Sequence, residues 1–323
     1  MYMTSKLVII VPTKNRINWC IMKLKFYNKI DYKIPILFLD ASESNNEFLI
    51  RDCATELDYS DVHYLHVPNK SIHLSIEDGL NYALGTWNYF VISGDDDFHL
   101  PKSLDKAIRF LDKNEEFVAV TGKALISRIR LYSNKFFILS NAFYWKAYSN
   151  INEIAANRFS LSLKNYINLE FAVKRLDAGL IIATAVNKFT GTLTFQESGF
   201  AEYCTATSIP FLGKVYNFDS LFMVRGDHPD RPFSRARTYR RPQFNLDLDT
   251  GFENFSEFII GFCIENNVVG LDTVKSALQE YDRKYNSKKI KKYFLVLTPV
   301  RRRALSIIIR FFYHRAFKAI SQT

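Results

Sequence analysis

Short apolar runs alternate with amphipathic segments through the first part of the chain. Four runs have the composition of buried strands and cover residues 6–12, 35–40, 62–67 and 87–93. The intervening segments have helical spacing and cover residues 16–30, 45–57 and 75–84. Pro101 suits the first turn of a further helix, and residues 117–121 read as another strand. This alternation predicts an α/β fold with a mainly parallel sheet flanked by helices.

Polar side chains follow three of these strands at their carboxyl ends. Thr13 follows the first strand, Asp40 ends the second, and the triplet Asp95, Asp96 and Asp97 follows the fourth. Right-handed crossovers place these ends on one edge of the sheet, where such folds bind ligands. Three adjacent carboxylates repel one another unless a positive group lies beside them. A divalent cation carrying a diphosphate fits, since Mg²⁺ takes one or two carboxylates plus phosphate oxygens. The alternative is a solvated acidic turn.

The second half of the chain is less regular than the first. Helical patterns cover residues 152–166 and 169–183, and a Pro- and Arg-rich stretch over residues 226–245 has no periodicity. A loop of that length is usually functional or disordered. Residues 253–266 and 273–285 read as two further helices, which predicts a helical C-terminal extension.

Composition excludes several classes of protein. A hydrophobic content of 48% supports a real core, and no run of 18 apolar residues is present to span a membrane. The four cysteines form no CxxC pair and no metal-ligand spacing, so we expect reduced, mostly buried thiols in a cytosolic protein. Residues 1–6 lead directly into a strand, so we expect no signal peptide.

The order of several motifs resembles family 2 glycosyltransferases. Residues 9–16 (IIVPTKNR) are similar to their opening strand, residues 39–42 (LDAS) to their second strand, and residues 79–97 to their helix, strand and Asp motif. Asp97 stands four residues before Pro101, in the register usual for the family. The triplet followed by Phe98 is like a bacterial subgroup with a Gly-Asp-Asp-Asp-Phe motif. The resemblance covers about the first 125 residues and returns near Glu202 and residues 213–225.

This resemblance implies the GT-A fold, a Rossmann-like sheet that binds a nucleotide sugar, and an inverting transfer that uses Mn²⁺ or Mg²⁺. Residues 1–125 would form the nucleotide-sugar-binding half and residues 126–250 the acceptor-binding region. Residues 251–298 would form the helical extension, and residues 299–323 a basic amphipathic helix. The family's common motif is Asp-x-Asp-Asp, whose first position here is Gly94, so the separate roles within the triplet stay open.

The resemblance also assigns site residues. Metal binding falls to Asp96, as the main ligand, with Asp97 and the late histidine His228. Nucleotide-sugar binding falls to eight residues: Pro12, Thr13, Asn15, Arg16, Asp40, Asp78, Asp95 and Arg225. The base that deprotonates the acceptor hydroxyl would be Glu202, or failing that Glu197, because the family places an Asp or Glu at the opening of a helix there. Each of these side chains has the alternative of an ordinary surface or loop residue.

Positive charge is concentrated at the C-terminus. Of the net charge of +10, residues 283–323 contribute 12 Lys and Arg and no Asp or Glu, so the rest of the chain is close to neutral. Residues 300–320 place apolar and basic side chains on opposite faces of a helical wheel, which fits an anionic membrane surface. Packing of that helix on the protein is the alternative. Nucleic acid is not expected as a partner, because no recognised binding motif is present.

The sequence therefore predicts a metal-dependent glycosyltransferase, peripheral on the cytoplasmic face of a bacterial membrane. It would build lipopolysaccharide, capsule or another surface glycan, on a glycan or lipid-linked acceptor. A nucleotidyltransferase is the first alternative, but that class requires a glycine-rich loop, and residues 13–16 contain no glycine. A catalytically inactive binding protein with the same sheet is the second alternative, and the intact acidic triplet argues against it.

Overall fold

The computed structural model describes residues 6–132, 135–145, 148–165, 169–190, 198–227 and 248–286. Within these ranges the strands are β1 Leu7–Thr13, β2 Ile36–Asp40, β3 Val62–His66, β4 Tyr89–Ile92, β5 Phe98–His99, β6 Phe117–Tyr132, β7 Lys135–Trp145, β8 Val173–Arg175 and β9 Lys214–Asp227. The helices are α1 Ile17–Lys29, α2 Glu47–Glu56, α3 Ile72–Ala83, α4 Pro101–Lys113, α5 Ala155–Lys164, α6 Leu176–Thr190, α7 Ser198–Leu212, α8 Leu248–Glu265 and α9 Leu271–Asn286.

The first four strands form the parallel part of the sheet, in the order β3-β2-β1-β4. In this register Thr13 at the end of β1 lies beside Asp40 at the end of β2. Residue Ile92 at the end of β4 pairs with Ile10 of β1, so the segment after β4 emerges at the same edge. The carboxyl edge therefore gathers the polar residues that follow these strands.

Strands from the second half of the chain complete the same sheet. The full order is β3-β2-β1-β4-β8-β6-β9-β5, and β7 pairs with β6. Strand β8 lies antiparallel between β4 and β6, and β9 runs parallel to β6. Strand β5 follows β4 closely in sequence but joins the sheet at its far end, antiparallel to β9. The segment between β4 and β5 therefore connects a central strand to an edge strand.

Alternating residues of β1 face two different helical layers, as expected for a strand buried on both sides. Leu7, Ile9 and Val11 pack with α1, α2 and α4. Val8 and Ile10 pack with α3 and the start of α6. A separate hydrophobic cluster packs α5, α7, α8 and α9 against strands β6 and β9. Both faces of β1 are thus covered by helices, which leaves the carboxyl end of this strand as the place where a ligand can approach it.

The structure confirms the predicted α/β class and, apart from the short strand β5, which was not predicted, the series of elements from β1 to α4. Gly85 follows the end of α3 with φ +83°, a left-handed conformation that glycine adopts without strain. All four cysteines are free and buried, as predicted. None of the helices in the described ranges is long and apolar enough to cross a membrane.

Several expectations for the second half were wrong. Residues 173–175 form strand β8 rather than part of a helix over residues 169–183, because their backbones pair with β4 and β6. The strand expected over residues 117–121 continues to Tyr132, across the boundary drawn after residue 125. Strands β7 and β9 were not predicted at all. The basic segment over residues 299–323 and most of the loop over residues 226–245 lie outside the described residues.

Candidate functional site

The three aspartates lie in the turn over residues 93–97, called here the acidic turn, between β4 and β5. Its backbone is closed by a hydrogen bond of 3.0 Å from the amide of Asp97 to the carbonyl of Gly94. The amide of Ser93 also donates to the carbonyl of Ile10 on β1, at 2.9 Å. Asp95, Asp96 and Asp97 are all buried, with at most 3% of their surface exposed. A turn of buried carboxylates is not the solvated acidic turn that was the alternative.

The last residue of β1 and a residue of the turn after it contact two of these carboxylates. Thr13 donates a hydrogen bond of 2.9 Å from Oγ1 to Oδ2 of Asp95. The guanidinium of Arg16 lies 3.0 Å from Oδ1 of Asp95 and 3.5 Å from Oδ2 of Asp96. Asn15 adopts φ +57°, a left-handed conformation that asparagine tolerates, so the turn after β1 needs no glycine. Four of the residues predicted to bind the nucleotide sugar therefore lie together here, namely Thr13, Asn15, Arg16 and Asp95.

Burial dominates the electrostatics of Asp95. It raises the pKa of this carboxyl to about 7, and the charge of Asp96 adds to the rise. Arg16, Thr13 and Lys23 act in the opposite direction, since each favours the ionised form. A cation at this edge would stabilise the ionised form further.

The carboxylate of Asp97 is directed toward β9. Its Oδ1 accepts a hydrogen bond of 3.1 Å from the amide of Gly226, and its Oδ2 lies 3.6 Å from Nε of Arg225. The guanidinium of Arg225 in turn lies 4.1 Å from the centroid of the Phe171 ring. The structure thus brings Arg225 to the acidic turn, although 128 residues separate it from Asp97 in sequence.

Gly94 stands at the position where the family's Asp-x-Asp-Asp motif has its first Asp, and its surroundings leave little room for a side chain. A Cβ atom built on Gly94 would lie 3.0 Å from Oδ1 of Asp96 and 3.0 Å from Oδ2 of Asp97. Real Cβ atoms rarely approach other atoms so closely, so a side chain here would displace both carboxylates. Position 94 therefore leaves space beside the carboxylate oxygens of Asp96 and Asp97 and supplies no further carboxylate.

Lys23 is a component of the site that sequence reasoning missed. It lies on α1 and is fully buried, and its Nζ donates to Oγ of Ser93 at 2.9 Å and to the backbone carbonyl of Asp97. Burial lowers the pKa of this ammonium to about 8, opposed chiefly by Asp97 and then by Asp95 and Asp96. The signal was available, because Lys23 stands four residues from both Trp19 and Tyr27 on the apolar face of α1.

Asp40 belongs to a network at the end of β2. Its Oδ1 accepts from the amide of Ser42 at 2.9 Å and from the Ser42 hydroxyl. Its Oδ2 accepts from Asn46 Nδ2 at 2.8 Å and from the Tyr64 hydroxyl at 2.7 Å. Burial raises the pKa of Asp40, but these hydrogen bonds outweigh it and the net shift is downward.

This network connects the second strand to the first. The amide of Asn15 donates to Oγ of Ser42 at 2.7 Å, and the amide of Ala41 donates to the carbonyl of Thr13 at 2.9 Å. Asp40 therefore fixes the loop after β2 against the loop that carries Arg16. The predicted role of Asp40 in binding the nucleotide sugar stays a prediction.

Pro12 and Asp78 complete the predicted nucleotide-sugar set. Pro12 lies on β1 beside Leu39 of β2, one residue before Thr13. Asp78 lies on α3, where it forms an ion pair with Lys70. The structure places Pro12 at the carboxyl edge of the parallel strands. Among the described residues it shows no contact from Asp78 to the acidic turn.

Of the two predicted bases and the late histidine, only Glu202 lies within the described residues. Glu202 lies in the second turn of α7, close to the opening of a helix. Thr205, one turn further along α7, lines a cavity together with Ile92, the last residue of β4. The cavity connects α7 with the end of β4, and no residue of the acidic turn is among its lining residues. Glu197 and His228 lie outside the described residues.

Residues 8–162 match the family described as Glycosyl transferase family 2. The crystal structure of S. aureus TarS 1-349 in complex with UDP-GlcNAc matches with a TM-score of 0.52 at 15% identity, over 97% of this chain and 81% of that chain. The same protein without ligand matches with a TM-score of 0.49 at 14% identity, over the same shares of the two chains.

No curated protein matches the sequence significantly. The fold is GT-A-like, an α/β sheet flanked by helices with a helical C-terminal part. Residues 8–162, which include β1 to α4 and the acidic turn, carry the sequence features of glycosyl transferase family 2 on this fold.

Proposed function

We propose that the protein is a glycosyltransferase that transfers a sugar from a nucleotide-sugar donor. The observation that carries the proposal is the meeting of Thr13, Arg16 and the acidic turn at the carboxyl edge of the parallel strands. That edge is where open α/β sheets bind ligands, and it lies within the segment that matches glycosyl transferase family 2. The bound UDP-GlcNAc of the similar TarS structure supports a nucleotide sugar as the donor.

We assign the cation, Mn²⁺ or Mg²⁺, to Asp96 and Asp97. The space beside Gly94 supports this assignment, because Oδ1 of Asp96 and Oδ2 of Asp97 both border it. In the described ranges no group of three or more His, Cys, Asp and Glu side chains is arranged to hold a metal ion. Two carboxylates suit a hard cation that takes its other ligands from phosphate and water. His228 remains a proposed further ligand.

When bound, this cation supplies Lewis acidity that stabilises negative charge on a departing diphosphate. The chain's own residues orient the donor around it. Arg16, held by Asp95 and Asp96, stands at the opening of α1, where a guanidinium can bind phosphate oxygens bidentately. Arg225, placed over Phe171, offers a second guanidinium on the opposite side of the acidic turn.

An inverting transfer also needs a base to take the proton of the acceptor hydroxyl. We assign this role to Glu202, with Glu197 as the second candidate. The position of Glu202 near the opening of α7 supports the first choice, because the family places its base at the opening of a helix.

The acceptor would be a surface glycan or a lipid-linked precursor such as those of lipopolysaccharide or capsule. The 12 basic residues after position 282 support a peripheral location on an anionic cytoplasmic membrane face. The site does not support a nucleotidyltransferase. The loop after β1 in this protein has asparagine, not glycine, at the position with left-handed backbone conformation.

The test is a binding and turnover screen. UDP-, GDP-, CMP- and dTDP-sugars are titrated calorimetrically with and without Mn²⁺, and hydrolysis of each sugar is measured. We expect one nucleotide class to bind in a Mn²⁺-dependent manner, and Asp96→Asn to abolish that dependence.

Asp58→Asn is the matched control, because this carboxylate is exposed and pairs with Lys33 far from the acidic turn. It should retain wild-type affinity. Absence of binding by every nucleotide sugar, or unchanged Mn²⁺ dependence in Asp96→Asn, would refute the proposal.

A further inference from the structure

Lys23 is a fully buried cation beneath the acidic turn. Its ammonium donates to Oγ of Ser93, the first residue of the turn, and to the carbonyl of Asp97, the last. The Ser93 hydroxyl itself donates to the same carbonyl of Asp97 at 3.1 Å. One side chain from α1 therefore joins both ends of the turn.

This arrangement is costly if its only role is to stabilise the fold. Transfer of an ammonium group from water to the interior is strongly unfavourable even after relaxation, and an apolar side chain would fill the same place on α1 without that penalty. The cost is offset here by the neighbouring carboxylates and by two hydrogen bonds. Both hydrogen bonds are made to residues of the acidic turn, and the ammonium also lies 4.9 Å from the ring centroid of Phe98, the residue that follows the turn.

We propose that Lys23 is a positioning residue of the donor site, which fixes the acidic turn from below so that its carboxylates hold one arrangement. The inference rests on the proposed function for its purpose, but the tie itself is testable without any donor. Lys23 touches neither the edge where the donor would lie nor the space beside Gly94 by any described contact. It acts through Ser93 and the backbone of Asp97.

The chain contains a matched control for removal of a buried lysine. Lys174 is also buried, and its Nζ donates to the backbone carbonyls of Leu169 and Glu170 rather than to the acidic turn. Lys23→Met and Lys174→Met both remove a buried ammonium and keep a side chain of similar length. Loss of overall stability should therefore be similar in the two variants.

Two measurements separate local positioning from general stability. Amide hydrogen exchange is followed at Asp97, whose amide donates to Gly94, and at Gly226, whose amide donates to the Asp97 carboxylate. We expect at least tenfold faster exchange at both amides in Lys23→Met and no comparable local change in Lys174→Met. Binding of Mn²⁺ alone, measured by electron paramagnetic resonance, should weaken about tenfold in Lys23→Met only.

Unchanged exchange at Asp97 in Lys23→Met, an equal rise in both variants, or tighter Mn²⁺ binding in Lys23→Met would overturn the positioning role. If Lys23→Met does not fold, Ser93→Ala carries the test, since it removes one of the two contacts of the ammonium. It should raise exchange at Asp97 several-fold, and unchanged exchange would again overturn the role. A wild-type protein that binds no Mn²⁺ and no nucleotide sugar would refute the proposed function, while the exchange comparison would still decide the role of Lys23.

Discussion

Thr13 and Asp95 are 82 residues apart in sequence, yet the hydroxyl of Thr13 donates a hydrogen bond of 2.9 Å to the carboxylate of Asp95. Both side chains are buried. This contact joins the end of β1 directly to the acidic turn. It also leaves the second oxygen of Asp95 to Arg16. The orientation of Asp95 is thus set by the last residue of β1 and by a residue of the turn that follows this strand.

Thr13→Val should weaken this arrangement while preserving the shape of the side chain. The variant leaves a buried carboxylate with one fewer donor, which costs roughly 1–3 kcal/mol in stability. It also raises the pKa of Asp95, since a hydrogen bond that favours the ionised form is lost. Urea unfolding and calorimetric titration with Mn²⁺ and a nucleotide sugar measure the two effects. Thr13→Ser keeps the hydroxyl and should stay close to wild type, and equal losses in both variants would contradict the role of the hydrogen bond.

Gly94→Ala should impair the site with little effect on the fold. The backbone of Gly94 does not have a positive φ, so the added methyl conflicts only with the carboxylates of Asp96 and Asp97. We expect at least a tenfold loss of Mn²⁺-dependent nucleotide binding.

Gly261→Ala is the control for the general effect of adding a methyl group to glycine. Gly261 lies within α8, where a Cβ would have no neighbour within 4 Å. Alanine there should raise stability by up to about 1 kcal/mol, and binding should be unaffected. Wild-type binding by Gly94→Ala would show that the space beside Gly94 is not used.

His99 should make stability depend on pH below neutrality. Burial lowers the pKa of His99 to about 3, and Lys23, Lys174 and Arg225 add to the lowering, while its contact with the carbonyl of Phe171 opposes it. The unfolded chain takes up a proton near the ordinary pKa of about 6.5, so the stability contributed by neutral His99 is lost as pH falls from about 6.5 toward 3.

His99→Gln should remove this dependence. Between pH 7.5 and 4.5 the wild type should lose roughly 2 kcal/mol more stability than the variant, because only the unfolded wild type gains that proton. Urea unfolding at the two pH values measures the difference. Parallel losses in the two proteins would contradict a neutral, buried His99.

Tyr64→Phe should test the network around Asp40. The hydroxyl of Tyr64 donates to Asp40 and accepts from the amide of Asn46 at 3.0 Å, so its removal affects two buried or partly buried partners. We expect a loss of about 1–2 kcal/mol in unfolding free energy. Tyr82→Phe is the control, because Tyr82 is half-exposed and its hydroxyl contacts His63 at the surface. Equal stability of the two variants would mean that the Asp40 network contributes little.

The basic C-terminal segment should attach the protein to anionic membranes. Deletion of residues 299–323 should release the protein from vesicles containing anionic lipid, as measured by co-sedimentation. Replacement of Arg301, Arg302 and Arg303 by glutamine should weaken the attachment, by on the order of 1 kcal/mol for each charge removed. Unchanged sedimentation after the deletion would exclude a membrane role for this segment.

The first half of the fold was predictable because its signals are local. Apolar strands of β1 to β4, the proline that begins α4 and the glycine that follows α3 each act within a few residues. The parallel order then follows from the alternation of strands and helices. Thr13 and the acidic triplet were singled out by their place at the ends of strands, and Arg16 by the resemblance to family 2 glycosyltransferases.

The second half was less predictable because its strands are defined by their partners. The three residues of β8 contain two basic side chains, and only pairing with β4 and β6 makes this segment a strand. Lys23 was missed for a related reason, since a lysine is normally exposed. The carbonyl and the hydroxyl that accommodate it come from a distant segment of the chain.

The position of β8 and β9 in the sheet has a consequence for any attempt to shorten the protein. A fragment ending near residue 125 would expose the edge of β4 to solvent and would leave β5 without its neighbour β9. Asp97 would also lose the amide of Gly226. The minimal unit able to bind a donor should therefore extend through residue 227, and shorter fragments should aggregate through their unpaired strand.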